Sequence, residues 1–121
     1  MYTDKKIAVF GVSQDETKYG YKIFSALGRM GIEVYGINPK GGIVDGREIF
    51  HGLKELPVVP DIAIMVIPPK ALVPAVEQCV AAKVGEIWFQ PGARSEEAYQ
   101  LAVSSGIKAI DGCFMVDNGL W

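Results

Sequence analysis

The sequence KIAVFGVS, residues 6–13, is a short apolar run that ends at a glycine and leads into a polar loop. Four further apolar runs follow along the chain: Glu33–Ile37, Ile62–Ile67, Glu86–Phe89 and Ile107–Ile110. All are rich in Val, Ile or aromatic residues and are apolar at both alternate positions, which is typical of parallel strands buried on both faces. We therefore predict five parallel strands, the first at Lys6–Phe10.

Segments with helical spacing separate these runs. Ile23, Leu27 and Met30 repeat at i, i+4 and i+7, a second helix is expected after Pro68-Pro69, and a third begins at Ser95. Alternation of strands and helices predicts right-handed crossovers around one sheet. The predicted fold class is α/β, a doubly wound parallel sheet of about five strands in the order 3-2-1-4-5 with helices on both faces.

The stretch from Asn38 to Pro60 has no long apolar run. It contains Gly41-Gly42 and Asp45-Gly46, which favour turns. We predict turns throughout this stretch, with a short extended segment at Arg47–Phe50 and one helical turn at Gly52–Leu56.

Composition sets limits on the class of protein. The 121 residues are 50% apolar and 21% charged, so we expect one globular domain over residues 1–121. A net charge of −2 provides no field for binding nucleic acid, and no apolar run approaches the roughly 20 residues that a membrane span needs. We expect neither a nucleic-acid nor a membrane partner.

The N-terminal segment and the cysteines indicate a compartment. Residues 1–6 are polar and contain no hydrophobic signal region. Cys79 and Cys113 lie in different segments without CxxC spacing, so neither a disulfide framework nor a zinc site is expected. Cys79 shares a helical face with Leu72 and Val76 and is expected in the core. We predict a cytoplasmic protein with no metal ligands.

The loop after the first strand, residues 11–20, is a candidate phosphate site, because ligands of doubly wound sheets bind beyond the carboxyl ends of the strands. Backbone N–H groups of the Gly11-x-Ser13 turn and of a helix start around Tyr19–Tyr21 would face the phosphate. Ser13 Oγ and Lys18 would add a donor and a charge. An ordinary turn with solvated charges explains the same residues equally well. A Walker loop is excluded, because Gly-Lys-Ser/Thr does not occur.

The end of the second strand carries a cation where an NAD enzyme carries a carboxylate. Ile37 is followed by Asn38-Pro39-Lys40, and no G-x-G-x-x-G motif precedes it. Lys40 suits a ribose with a phosphate, as in NADP or coenzyme A, and Arg47 is a second candidate for that charge. A simple turn at Asn38-Pro39 is the alternative.

Two further features lie at the later strand ends, and the single histidine lies in a connection between strands. Pro68-Pro69 forms a stiff apolar ledge after the third strand, and Gln90 places an amide at the same edge after the fourth. His51 lies in the connection after Phe50, where we expect it to face solvent, and no carboxylate partner is evident.

Taken in order, these motifs resemble those of small stand-alone CoA-binding domain proteins, which in turn resemble the N-terminal domain of the succinyl-CoA synthetase α subunit and of NDP-forming acyl-CoA synthetases. The matching residues are Gly11-Val12-Ser13, Asn38-Pro39-Lys40, Asp45-Gly46, Pro68-Pro69, Trp88-Phe89-Gln90-Pro91-Gly92 and Cys113. The resemblance implies a Rossmann-like fold that binds coenzyme A or acyl-CoA.

The resemblance also implies a set of binding residues. Residues 11–13 and 18–20 would hold the pyrophosphate, residues 38–40 would border the adenosine and its phosphate, and residues 67–69 would flank the nucleotide. With Gln90 added, the candidates are Gly11, Val12, Ser13, Lys18, Tyr19, Gly20, Asn38, Pro39, Lys40, Ile67, Pro68, Pro69 and Gln90.

The large synthetases carry a phosphorylated histidine in a later domain, whereas this sequence ends at Trp121. We therefore expect no catalytic residues and a binding module that acts as carrier, sensor or partner. For Cys113, packing is weighed against a mixed disulfide with the CoA thiol. Two alternatives stay open: an NADP-linked oxidoreductase or redox sensor, and a protein-interaction module with a protein partner or a second copy of the chain. The large apolar residues that could contact such a protein partner are Trp88, which is otherwise expected in the core, and Trp121.

Overall fold

A computed structural model describes residues 4–121, which form a seven-stranded sheet flanked by helices. The strands are β1 (Ile7–Phe10), β2 (Val34–Ile37), β3 (Ile43–Val44), β4 (Arg47–Phe50), β5 (Ile62–Met65), β6 (Glu86–Phe89) and β7 (Lys108–Asp111). The helices are α1 (Tyr19–Arg29), α2 (Leu72–Ala82), α3 (Glu96–Ser104) and α4 (Phe114–Asp117), with 3-10 turns at Leu53–Glu55 and Pro69–Ala71. Residues 1–3, part of the segment predicted to contain no signal region, lie outside the described residues.

The strand order is β3-β4-β2-β1-β5-β6-β7, and every neighbouring pair is parallel except β3 with β4. The prediction of five strands in the order 3-2-1-4-5 is therefore wrong in number and order. The strand beginning at Ile62 pairs with β1 instead of β2, because β4 already occupies the place beside β2. Counted alone, the six parallel strands follow the Rossmann order 3-2-1-4-5-6.

The two additional strands form a hairpin in the stretch predicted as turns. Asp45 and Gly46 both have positive φ, 53° and 74°, and Val44 pairs with Arg47 across them. Such a two-residue turn matches the twist of antiparallel strands. The short extension predicted at Arg47–Phe50 is confirmed as β4, and the helical turn predicted at Gly52–Leu56 is confirmed as the 3-10 turn.

Helices cover both faces of the sheet, as predicted. Ile7 and Val9 of β1 pack on one face with residues of α1 and α4, while Ala8 and Phe10 pack on the other with α2 and α3. Cys79 is fully buried in that second layer, and Trp88 lies in the first, which confirms both as core residues. Strand β7 departs from the expected burial on both faces, since Lys108 at its start is exposed.

The helix ends follow local chemistry. The Ser95 hydroxyl accepts a hydrogen bond from the Ala98 N–H, so the predicted start of α3 is confirmed. Met30, placed by its spacing among the core positions of α1, is instead the C-cap residue and is 45% exposed. No helix within residues 4–121 combines the length and the apolar character required to cross a membrane.

Candidate ligand site at the carboxyl edge of the sheet

The direction of the chain reverses between β1 and β5. From β1 the chain builds outward through β2 and β4, and it then returns to the other side of β1 to form β5. The connections that follow the two strands diverge to opposite faces of the sheet, which opens a crevice at their carboxyl ends. Four adjoining cavities lie along this edge.

Two glycines allow the start of α1 to approach the sheet. Gly11 has φ of +100°, and a Cβ on it would lie 2.1 Å from the Val66 carbonyl oxygen. A Cβ on Gly20 would lie 2.1 Å from the Gly11 carbonyl oxygen. Because neither contact is compatible with a side chain, glycine at position 20 lets the first turn of α1 lie against the end of β1, and glycine at position 11 lets the end of β1 lie against Val66, just after β5.

The N-terminus of α1 is open to a ligand. Lys18 is the N-cap residue in an extended conformation, no side chain caps the helix, and the first turn contains no acidic residue. The first N–H groups of a helix have no acceptor within it, and the helix dipole adds partial positive charge there. This end of α1 is therefore suited to an anion such as a phosphate.

The loop between β1 and α1 is held by its own hydrogen bonds. Asp15 Oδ1 accepts from the Thr17 hydroxyl at 2.6 Å and from the Thr17 N–H at 2.9 Å, and these bonds lower the pKa of the Asp15 carboxyl. Ser13 Oγ accepts from the Asp15 N–H at 3.1 Å, which leaves the hydroxyl hydrogen of Ser13 to donate to a ligand.

The largest of the four cavities, about 440 Å³, lies between this loop and the ends of β5 and β6. We call it the central cavity. It is lined by Gly11, Ser13, Lys18, Tyr19, Gly20, Ile67, Pro68 and Gln90 from the predicted set. The structure thus brings together residues from both parts of the predicted pyrophosphate site, Pro68 of the apolar ledge and the predicted amide.

A second cavity of about 310 Å³, the Lys40 cavity, lies between the β1–α1 loop and the turn after β2. Val12, Asn38 and Lys40 line it, and Ser13 lines both this cavity and the central one. Lys40 is exposed and forms no ion pair within residues 4–121. Its ammonium group is available to a ligand in this cavity.

Asn38 links the two loops that border these cavities. Its Nδ2 donates to the Val12 carbonyl oxygen at 2.9 Å, and its Oδ1 accepts from the Lys40 N–H at 2.9 Å. Both ends of the amide are therefore engaged within the protein. Asn38 forms the expected turn and also fixes the β1–α1 loop beside Lys40.

Arg47, the second candidate for a phosphate charge, points elsewhere. Its Nη2 donates to the Phe24 carbonyl oxygen at 3.3 Å and lies 3.6 Å from an Asp45 carboxylate oxygen. The guanidinium also stacks over the Phe24 ring, 3.9 Å from the ring centre. These contacts hold Arg47 against α1, and it lines none of the four cavities, so the structure does not bring this second candidate to the site.

A third cavity, about 180 Å³, lies on the other face of the Pro39 turn and is lined by Pro39, His51 and Ile67 among others. His51 faces solvent, as expected. The statement that it lacks a carboxylate partner is wrong, because Glu55 Oε1 lies 3.0 Å from His51 Nδ1. The backbone and ring N–H groups of His51 lower the pKa of the Glu55 carboxyl.

One predicted residue lies away from the cavities, and the edge includes residues that were not predicted. Pro69 begins a 3-10 turn outside the four cavities, whereas Val12 lines the Lys40 cavity although its side chain is buried in the core. Gly41 and Gly42 beside Lys40, and Val66 under the ledge, were not predicted. The Gly-Gly pair next to a lysine at a strand end was the signal available for the first two.

Comparison with known families adds an independent finding. The sequence profile of a family described as CoA binding domain matches residues 5–119. The chain is 28% identical over 120 residues to the α subunit of ADP-forming acetate–CoA ligase II from Pyrococcus furiosus, covering 90% of this chain and 26% of that subunit. With the α subunit of ligase I from the same organism it shares 33% identity over 85 residues, or 65% of this chain and 18% of that subunit. The chain thus spans about a quarter or less of these relatives.

Solved structures of similar size share the fold. A conserved hypothetical protein from Pyrococcus furiosus has a TM-score of 0.86 and 35% identity, covering 93% of this chain and 98% of its own. A protein from Thermus thermophilus has a TM-score of 0.87 and 29% identity, with coverages of 97% and 90%. Solved proteins of nearly the same length as this chain therefore share its architecture.

Proposed function

Because this chain belongs to the CoA binding domain family, we propose that it binds coenzyme A or an acyl-CoA at the carboxyl edge of its sheet without catalysing a reaction. The observation that carries this proposal is that Ser13 lines both the central cavity and the Lys40 cavity. Coenzyme A has a pyrophosphate and a separate ribose phosphate. One molecule could place the first at the start of α1 and the second beside Lys40.

The chemistry of the two cavities fits these two phosphates. At α1, uncapped N–H groups, the Ser13 hydroxyl and Lys18 offer several donors to one anion. In the Lys40 cavity, the Lys40 ammonium group, which forms no ion pair within residues 4–121, is available to the ribose phosphate. Ile67 and Pro68 supply an apolar surface between the two loops and the end of β6.

The proposed role is that of a carrier, a sensor or a partner module. Two of the curated relatives are α subunits of acetate–CoA ligases, in which a segment like this one is a small part of a longer chain. We propose that residues 1–121 act as one CoA-binding domain. We further propose that any reaction of the bound thioester takes place on a partner protein.

Titration calorimetry of the reduced protein tests the proposal directly. Coenzyme A, 3′-dephospho-CoA and NADP are titrated separately into the same preparation. We expect saturable binding with one site per chain and the order coenzyme A, then dephospho-CoA, then NADP. Absence of coenzyme A binding would refute the proposal. In that case, binding of NADP would favour an oxidoreductase, and absence of binding by all three ligands would favour a protein partner.

Replacing Lys40 with Ala should weaken coenzyme A binding by about 1–3 kcal/mol, the range for loss of one charge-assisted hydrogen bond. The Lys108→Ala variant is the matched control, because it removes the same charge at the opposite edge of the sheet. Calorimetry with both ligands identifies the contact: the Lys40→Ala loss should disappear when the ligand lacks the 3′-phosphate. An equal loss for coenzyme A and dephospho-CoA would place the ribose phosphate elsewhere.

A further inference from the structure

Cys113 lines a fourth cavity, of about 230 Å³, that is continuous with the central cavity. The two share Tyr19, Val66, Gln90 and Pro91. Cys113 is half-buried and its thiol is free. A ligand anchored by its phosphates at the start of α1 can therefore extend over Gln90 towards the sulfur of Cys113.

Gln90 offers a hydrogen-bond donor to a ligand in this passage. Its side chain is 5% exposed, and its Oε1 accepts a hydrogen bond from the Phe114 N–H at 2.8 Å. Its Nε2 has no hydrogen-bond partner within residues 4–121. Among these residues, every side-chain nitrogen or oxygen that is sealed from solvent has a hydrogen-bond partner, so an unpaired Nε2 is not sealed from solvent. The amide nitrogen therefore reaches solvent through the cavities that Gln90 lines, as a donor without an acceptor. The amide carbonyls along the pantetheine arm of coenzyme A are acceptors of the required kind.

We propose that Cys113 exchanges disulfides with CoA disulfides that bind at this edge, so that the chain becomes covalently linked to coenzyme A. The inference rests on the proposed function, because coenzyme A binding is what delivers the sulfur to Cys113. Disulfides of coenzyme A, with itself or with another small thiol, are the substrate class.

The exchange is balanced without an added oxidant. The Cys113 thiolate attacks the CoA sulfur of the disulfide, and a bond forms between Cys113 Sγ and that sulfur. The original sulfur–sulfur bond breaks, and the second thiol leaves as a thiolate that takes up the proton lost by Cys113. Cys113 and the CoA sulfur end at the disulfide level, and the leaving thiol is reduced.

Cys79 is an internal control for accessibility. It lies in the core with no exposed surface, and burial raises the pKa of its thiol to about 12. A disulfide reagent that reaches Cys113 through the cavity has no route to Cys79 in the folded protein. Modification confined to Cys113 would therefore report on the cavity, whereas modification of both thiols would report on unfolding.

The test compares two disulfides on the reduced protein by intact-mass and peptide mass spectrometry. With CoA disulfide we expect one CoA adduct per chain, on Cys113, forming at least about tenfold faster than the adduct from oxidised glutathione at the same concentration. Desulfo-CoA, which has no thiol, should compete with CoA disulfide for the binding site and slow formation of the CoA adduct. Dithiothreitol should release the CoA, and Cys113→Ser should form no adduct.

The outcomes separate this inference from the proposed function. If calorimetry shows coenzyme A binding but Cys113 reacts no faster with CoA disulfide than with oxidised glutathione, the inference is wrong and the binding function stands. If coenzyme A does not bind, both are wrong. Should Cys113→Ser fail to fold, the peptide map of the wild-type protein still decides which thiol reacts.

Discussion

Replacing Ser13 with Asp should nearly abolish coenzyme A binding while leaving the protein folded. Ser13 lies between the two cavities in which the proposed ligand places its phosphates. A carboxylate there would face the pyrophosphate at close range. At about 4 Å and an effective dielectric constant of about 20, one pair of like charges repels by about 4 kcal/mol, which corresponds to roughly 1,000-fold weaker binding.

The Ser13→Asn variant is the matched control, because its side chain has the size of aspartate without the charge. Either side chain can accept the Asp15 N–H in place of Ser13 Oγ, so the loop should keep its turn. Calorimetry should show a much smaller loss for Asn than for Asp, and thermal unfolding should show that both variants fold. Equal losses would mean that bulk or loop geometry at residue 13 matters and that no phosphate lies there.

The central strands were predictable because burial on both faces leaves a continuous apolar run. Strands β1 and β5 are buried at every position, and the sequence marks both. The β3–β4 hairpin lies at the edge of the sheet, where only Val44 and Ile49 are buried and Ile43 is 65% exposed. A strand with one buried residue has no distinctive pattern. The extended segment Arg47–Phe50 was predicted, but its pairing with β2 was not, and this is why the predicted strand order was wrong.

The candidate site was predictable to the extent that topology determines it. Parallel strands end at one edge, so residues after β1, β2, β5 and β6 converge there without any knowledge of side-chain contacts. Contacts between distant parts of the chain were not predictable. The Asn38 bond to the Val12 carbonyl spans 26 positions, and the Arg47 bond to the Phe24 carbonyl spans 23. Such hydrogen bonds determine whether a polar side chain is available to a ligand or is engaged within the protein.

Gly11→Ala should destabilise the protein by about 2–5 kcal/mol, a large share of the roughly 5–15 kcal/mol typical of a domain. Two costs add at this position. A side chain at φ of +100° is strained, by at least the roughly 1–2 kcal/mol of the left-handed helical region. The new Cβ would also lie 2.1 Å from the Val66 carbonyl oxygen, and relieving such an overlap costs about 1–3 kcal/mol more.

Gly106→Ala separates these two costs. Gly106 has φ of +83°, and a Cβ on it would meet no atom within 4 Å, so only the conformational cost of about 1–2 kcal/mol applies. Urea unfolding should therefore give the Gly11→Ala variant a free energy of unfolding that is well below that of Gly106→Ala. Because Val66 and Gly11 both line the central cavity, the Gly11 variant should also bind coenzyme A more weakly under conditions in which it is folded, whereas the Gly106 variant should bind normally. Equal losses of stability would show that β5 yields to the added methyl group and that the close approach at Gly11 does not shape the site.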